Sequence, residues 1–133
     1  MSIKYVSTPN APAAIGPYSQ AIIANDMVYT SGQIALTLDG LIKCEDVEGQ
    51  TRQVLKNLSA VLEEANSSLS NVIKTTIYLA SMDDFKAVNE IYAEFFGEHR
   101  PARSTVAVKT LPLDVKVEID AIALQDPLNT YMQ

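Results

Sequence analysis

Apolar residues recur along the chain with two different periods. Between residues 46 and 65, Val54, Leu58, Val61, Leu62 and Ala65 keep the three-to-four spacing of one helix face, and Glu45, Asp46 and Glu48 stand at the end where the helix dipole is positive. The spacing predicts an amphipathic helix over 46–65. Ser81-Met82-Asp83-Asp84 reads as a capping box, and Phe85, Val88, Ile91, Tyr92, Phe95 and Phe96 follow on one face before Gly97, which predicts a second helix.

Elsewhere the apolar residues are β-branched and alternate with polar ones, the mark of strands, over 21–24, 27–31, 72–79, 105–108 and 115–124, with a weaker stretch at 3–7. Asn25-Asp26 is a two-residue turn between the second and third stretches and predicts an antiparallel hairpin. The order β-β-β-α-β-α-β-β implies an α+β two-layer sandwich, a mixed six-stranded sheet with both helices on one face. In the last strand Val115, Val117, Ile119, Ala121 and Ala123 point one way, towards the helices, and Lys116, Glu118, Asp120, Ile122 and Leu124 the other. A face that mixes charged and apolar groups suits a subunit interface with a wet pocket, so a homo-oligomer is expected.

Composition narrows the function classes. No internal repeat or Pro/Gly-rich linker divides the 133 residues, so one domain over 1–133 is expected, with 126–133 as a C-terminal extension. Cys44 is the single cysteine, which excludes an internal disulfide, and it has no activating neighbour. With no signal peptide and no run of ~20 apolar residues, the reading is a soluble, cytoplasmic protein that engages no membrane. A net charge of −6 repels phosphate backbones, so nucleic acid is disfavoured as a partner. The densest positive segment, His99-Arg100-Pro101-Ala102-Arg103, is enough for one small anion.

Nothing in the sequence matches a Walker loop, G-x-G-x-x-G, H-E-x-x-H, C-x-x-C or G-x-S-x-G, so no cofactor and no metal are expected. The single histidine, His99, follows the second helix and reads as a solvated side chain at the helix C-terminus. If 109–114 folds the last two strands into an antiparallel pair, Glu118 stands opposite Thr105 and diagonal to Arg103. Arg103 could then grip a carboxylate with its planar fork while Glu118 directs or deprotonates a water; the alternative is a cross-strand salt bridge on a solvated face.

Ala11-Pro12-Ala13-Ala14-Ile15-Gly16-Pro17-Tyr18-Ser19-Gln20, Thr30-Ser31-Gly32-Gln33-Ile34, Pro101-Ala102-Arg103-Ser104 and Val117-Glu118-Ile119-Asp120-Ala121-Ile122-Ala123 closely resemble the RidA (YjgF/YER057c/UK114) family, in four separated blocks over nearly the whole chain. The resemblance implies a chorismate-mutase-like fold, a homotrimer with sites between subunits, and hydrolysis of reactive 2-imino and enamino acids, such as 2-iminobutanoate and 2-iminopropanoate, to 2-oxo acids and ammonia. Carried over, Arg103 pairs with the substrate carboxylate and Glu118 orients the attacking water. Tyr18 and Ser31 reach in from the neighbouring subunit, Gly32 allows close backbone approach, and Asn89 lies nearby. Many relatives carry cysteine where this chain has Thr105, so thiol reactivity there is not expected, although hydrolysis by a positioned water is unaffected. Two other readings of the same cleft are a non-catalytic regulator that binds small metabolites and a ribonuclease or translation inhibitor. The acidic charge and the lack of a histidine pair argue against the latter.

Overall fold

The computed structural model of the chain describes residues 2–43 and 46–127. Cys44 and the end of the C-terminal extension, 128–133, lie outside the described residues. The order is β1 (Lys4–Val6), β2 (Ala21–Ala24), β3 (Met27–Thr30), α1 (Val47–Glu64), β4 (Val72–Leu79), α2 (Phe85–Phe96), β5 (Ala102–Ala107) and β6 (Val117–Leu124). The strands form one six-stranded sheet in the order β1-β2-β3-β6-β4-β5. All pairs are antiparallel except β4 with β5.

Local chemistry starts most elements where the sequence predicts them. Asp46 caps α1, its carboxylate accepting from the Gly49 N–H at 2.7 Å. Asn25 and Asp26 take φ of 52° and 64°, the left-handed pair of a tight hairpin turn that these two residue types tolerate. Ser81 caps a single 3₁₀ turn, accepting from Asp83 N–H, and α2 begins only after it.

Packing of α1 on the sheet then fixes the architecture. Val54, Leu55, Leu58, Val61 and Leu62 have no exposed surface and meet Val28, Ile77, Val117, Ile119 and Ala123 from the strands. Full burial of each leucine is worth ~1.5–3 kcal/mol, well above the differences in helix propensity of at most ~0.7 kcal/mol per residue. The buried parity of β6 matches the alternation expected for it.

In β4 the register with β6 slips between Val72 and Lys74, a bulge at Ile73. It turns Thr75, Ile77 and Leu79 towards the helices and leaves Lys74, Thr76 and Tyr78 on the open face. That face also carries the cross-strand row Tyr5, Ile22, Tyr29 and Ile122. Among the described residues no helix is long and apolar enough to cross a membrane.

One expected pairing is corrected. The last two strands are not neighbours, because β4 lies between them: Arg103 pairs with Thr75, Thr75 with Ala121, and Glu118 with Tyr78. The cause is the helix between β4 and β5, since a strand-helix-strand unit returns the chain parallel to its start. The exposed sequence of β5 also suits an edge, whereas β4 is half buried and takes the interior place.

Candidate active site

β3 leaves β6 after Tyr29, which pairs with Ile122. The Thr30 hydroxyl takes over one backbone bond by accepting from Ala121 N–H at 3.0 Å. Gln33 rejoins the sheet through a reciprocal pair with Ile119. Ser31 and Gly32 arch across the gap, and the Glu118 side chain lies against Gly32: a Cβ placed there would fall 2.8 Å from Glu118 Cδ. Beside this contact is an open cavity of about 480 Å³ to which Tyr18, Ser31, Gly32 and Glu118 contribute.

Three buried side-chain amides, not singled out by the sequence reading, pin the walls of this cavity. Gln20 holds the N-terminal loop, accepting from Thr8 N–H at 2.7 Å and donating to the Pro12 carbonyl at 2.8 Å. Asn57 of α1 donates to the carbonyls of Ile34 and Leu36 at 3.1 and 2.9 Å. Gln50 of α1 accepts from Lys116 N–H at 2.8 Å, behind the turn that leads into β6. Gln50 and Asn57 interrupt the apolar stripe of α1 at helical spacing beside Val54 and Val61, which is the signal by which they could have been found.

Burial, and then the negative charge of Asp120, push the Glu118 carboxyl above the usual carboxylate range. Asp120 is also raised by burial, partly offset by the Tyr78 hydroxyl that donates to it at 3.3 Å and by Lys74. Among the described residues the one ion pair is Arg52–Glu94, far from both carboxylates in the chain. A half-buried carboxyl with no cation beside it exchanges its proton more readily near neutrality. The Ser31 hydroxyl donates to the Ser19 carbonyl at 2.6 Å, so towards the cavity it can only accept.

Arg103 is elsewhere. Its guanidinium lies 5.0 Å from the Tyr92 ring centroid and 5.7 Å from that of Phe85, on the helix side of β5. The Tyr92 hydroxyl is hydrogen-bonded to Thr75 at 2.8 Å, which fixes that platform, and burial raises its pKa. Arg103 shares a second open cavity, about 460 Å³, with Asn89, Tyr92 and Arg100. Arg100 donates to the carbonyls of Gly97 and His99 at the end of α2, so the planar fork of Arg103 is the one left for a carboxylate. Thr105 follows on the same side of β5, its hydroxyl oxygen buried and without a hydrogen-bond partner among the described residues.

The sequence-predicted residues therefore fall into two groups. Glu118 joins Tyr18, Ser31 and Gly32 on the open side of the sheet, and Arg103 joins Asn89 on the helix side. The expected convergence of Arg103, Thr105 and Glu118 within one chain is overturned, because the intervening β4 and the strand parity put the guanidinium and the carboxylate on opposite faces. His99 is not a freely solvated side chain: it is half-buried, its Nε2 is 2.6 Å from the Val72 carbonyl, and its ring is tilted against Phe96.

Comparison with known proteins places this geometry. The family model for endoribonuclease L-PSP matches residues 8–125. Reactive Intermediate Deaminase A of Arabidopsis thaliana is 54% identical over 89% of this chain and 64% of that protein. The 2-iminobutanoate/2-iminopropanoate deaminase of Salmonella typhimurium is 46% identical over 92% of this chain and 98% of that one. The crystal structure of Escherichia coli TdcF with bound serine superposes with a TM-score of 0.87 at 43% identity, covering 92% of this chain and 99% of that one. The chain belongs to the endoribonuclease L-PSP family and, within it, to the RidA (YjgF) type.

Proposed function

We propose that this protein hydrolyses 2-imino and enamino acids to 2-oxo acids and ammonia, in a site built between copies of the chain in a homotrimer. The observation that carries the reading is the division of the machinery. A half-buried carboxyl faces one open cavity and a guanidinium on an aromatic platform faces another, on the opposite side of the same sheet, neither with an ion-pair partner among the described residues. Each group is poised for a partner that no described residue of its own chain provides. The names of the relatives, one a reactive intermediate deaminase and one a 2-iminobutanoate/2-iminopropanoate deaminase, support the chemistry.

In the reaction, the Arg103 fork of one copy holds the substrate carboxylate, with Asn89 and Thr105 beside it. Glu118 of the next copy takes a proton from water as the water oxygen bonds to the imine carbon and the C=N electron pair moves to nitrogen. The proton then passes from Glu118 to the amine of the carbinolamine, and ammonia leaves as the hydroxyl proton returns to Glu118 and the carbonyl forms. Ser31, which can only accept towards the cavity, holds an N–H of the iminium. An imine carbon is already electrophilic, so placing the water suffices and no covalent intermediate is needed.

Two features support association of copies. β5 is a six-residue edge strand with no further strand beside it among the described residues, and the open face carries Tyr5 and Tyr29 exposed in one apolar row. The test is the imine released by a threonine dehydratase. Parental protein speeds loss of its absorbance, and Arg103→Ala, folded and of parental size, lowers kcat/KM by at least ~10²-fold, the scale of a lost charged anchor. Parental rates in that variant would remove Arg103 from the site. A parental protein that binds 2-oxo acids and leaves the imine decay unchanged would be a metabolite-binding regulator instead.

A further inference from the structure

The cavity beside Glu118 has Tyr18, Ser31, Gln33 and Glu118 among its polar lining, while much of its wall is apolar, from Pro12, Ile15, Ile34, Leu36, Pro112 and Leu113. Gln20 also reaches the cavity, but its amide is committed to the N-terminal loop. At about 480 Å³ the space lies within the ~300–1,000 Å³ of sites that take drug-sized molecules, well beyond what an imino acid of three or four carbons fills.

Two large apolar side chains lie unprotected at this wall, Ile15 at 79% and Leu113 at 62% exposure. Leu113 is also held in an unfavourable backbone conformation, φ 55° and ψ 20°, followed by Asp114 at φ 58°. Leucine takes the left-handed region reluctantly, and such residues persist where their surroundings over-determine them, often at ligand clamps. The turn is fixed by Asp114 N–H donating to the Leu111 carbonyl and by the Gln50 staple behind it. Neither side chain contributes to the buried core.

We infer that Leu113, with Ile15, forms a side-chain subsite that makes 2-imino acids with an extended aliphatic chain, of five or six carbons in all, better substrates than the three-carbon member. This rests on the proposed reaction at the same cavity. With the imine carbon at Glu118 and the carboxylate on a neighbouring copy's Arg103, the substrate's third substituent has the apolar wall before it. Each methylene moved from water onto such a wall is worth about 0.8 kcal/mol, or roughly fourfold in kcat/KM.

The experiment compares imines generated by an amino acid oxidase from alanine, 2-aminobutanoate, norvaline and leucine, alongside calorimetric binding of the corresponding 2-oxo acids. Activity and affinity rise about fourfold per added methylene through norvaline in the parent. In Leu113→Lys the ratio of leucine-derived to alanine-derived imine falls at least ~10-fold, the size of discrimination one or two methylenes give. Leu113→Gly, which relieves the left-handed strain and so guards against a folding defect, lowers the same ratio. A flat or falling series in the parent overturns the inference, as does a ratio that both variants leave within twofold. It is also overturned if Leu113→Lys changes the assembly size without changing the ratio. If no imine is hydrolysed yet 2-oxo acid affinity climbs with chain length, the hydrolase reading fails and the apolar subsite stands.

Discussion

Replacing Gly32 by alanine isolates the placement of Glu118 from its chemistry. The added methyl would overlap Glu118 Oε2 and lie 2.8 Å from Cδ and 3.0 Å from Cγ, whereas ordinary contacts begin near 3.4 Å. The obstacle is the end of a flexible side chain, so the carboxylate retreats by at least ~1 Å and the backbone is spared. A displacement of ~1 Å in a catalytic group costs about 10²-fold, or ~2.7 kcal/mol in the barrier. Alanine in place of glycine tightens the unfolded chain by ~0.4–1 kcal/mol, which offsets part of the rotamer cost, so stability moves by ~1 kcal/mol or less. The assay is kcat/KM for 2-iminobutanoate together with the thermal midpoint, for Gly32→Ala, Glu118→Gln and the double variant. If Gly32 acts through Glu118, the alanine costs about 10²-fold in the parent and close to nothing in the Glu118→Gln background. A parental rate in folded Gly32→Ala, or two losses that simply add, would refute the reasoning.

Glu118 also sets a pH dependence of stability. Its folded pKa is raised by burial and by Asp120, so its contribution to stability is complete below the unfolded value of about 4.3 and is lost as pH rises through the folded value. Glu118→Gln should therefore melt higher than the parent at pH 7–8 and no higher at pH 4, as scanning calorimetry across that range can show. Asn57→Ala removes both donors that hold the Ile34 and Leu36 carbonyls. It should cost ~1–3 kcal/mol in urea unfolding, and a cost below ~0.5 kcal/mol would mean that the staple is not needed.

The element order was legible because each element announces itself locally: the stripe from Val54 to Ala65, the Asn25-Asp26 turn, the alternation of 115–124. Strand neighbours were not, since pairing is settled by which strand can bear burial. β4 takes the interior because its bulge at Ile73 puts Thr75, Ile77 and Leu79 under the helices. Strand ends moved for the same reason: β5 starts at Ala102 because it follows the parallel register of β4, and Lys116 is withheld from β6 because Gln50 takes its N–H. Sequence blocks identified Arg103, Glu118, Tyr18, Ser31 and Gly32 as candidates one by one, and Asn89 and Thr105 were named beside them. Their grouping depends on strand parity across an intervening strand, and that cannot be read from spacing along the chain.

Opposite faces of one sheet cannot serve one small molecule, and this gives the shared-site reading its sharpest consequence. Arg103→Ala and Glu118→Gln are each expected to be inactive alone, because every site in such a homotrimer lacks one of its two groups. When the two variants are unfolded together and refolded as a mixture, a site regains both groups where a Glu118→Gln copy supplies the guanidinium and its Arg103→Ala neighbour the carboxylate. With equal amounts and random assembly that arrangement occurs at about one site in four, so roughly a quarter of parental activity should return. The variants refolded separately and then mixed control for exchange between assembled copies. A site contained in one chain would give no recovery at any ratio, since each chain carries a lesion, and that outcome would leave the division of Arg103 and Glu118 across the sheet without a role in catalysis.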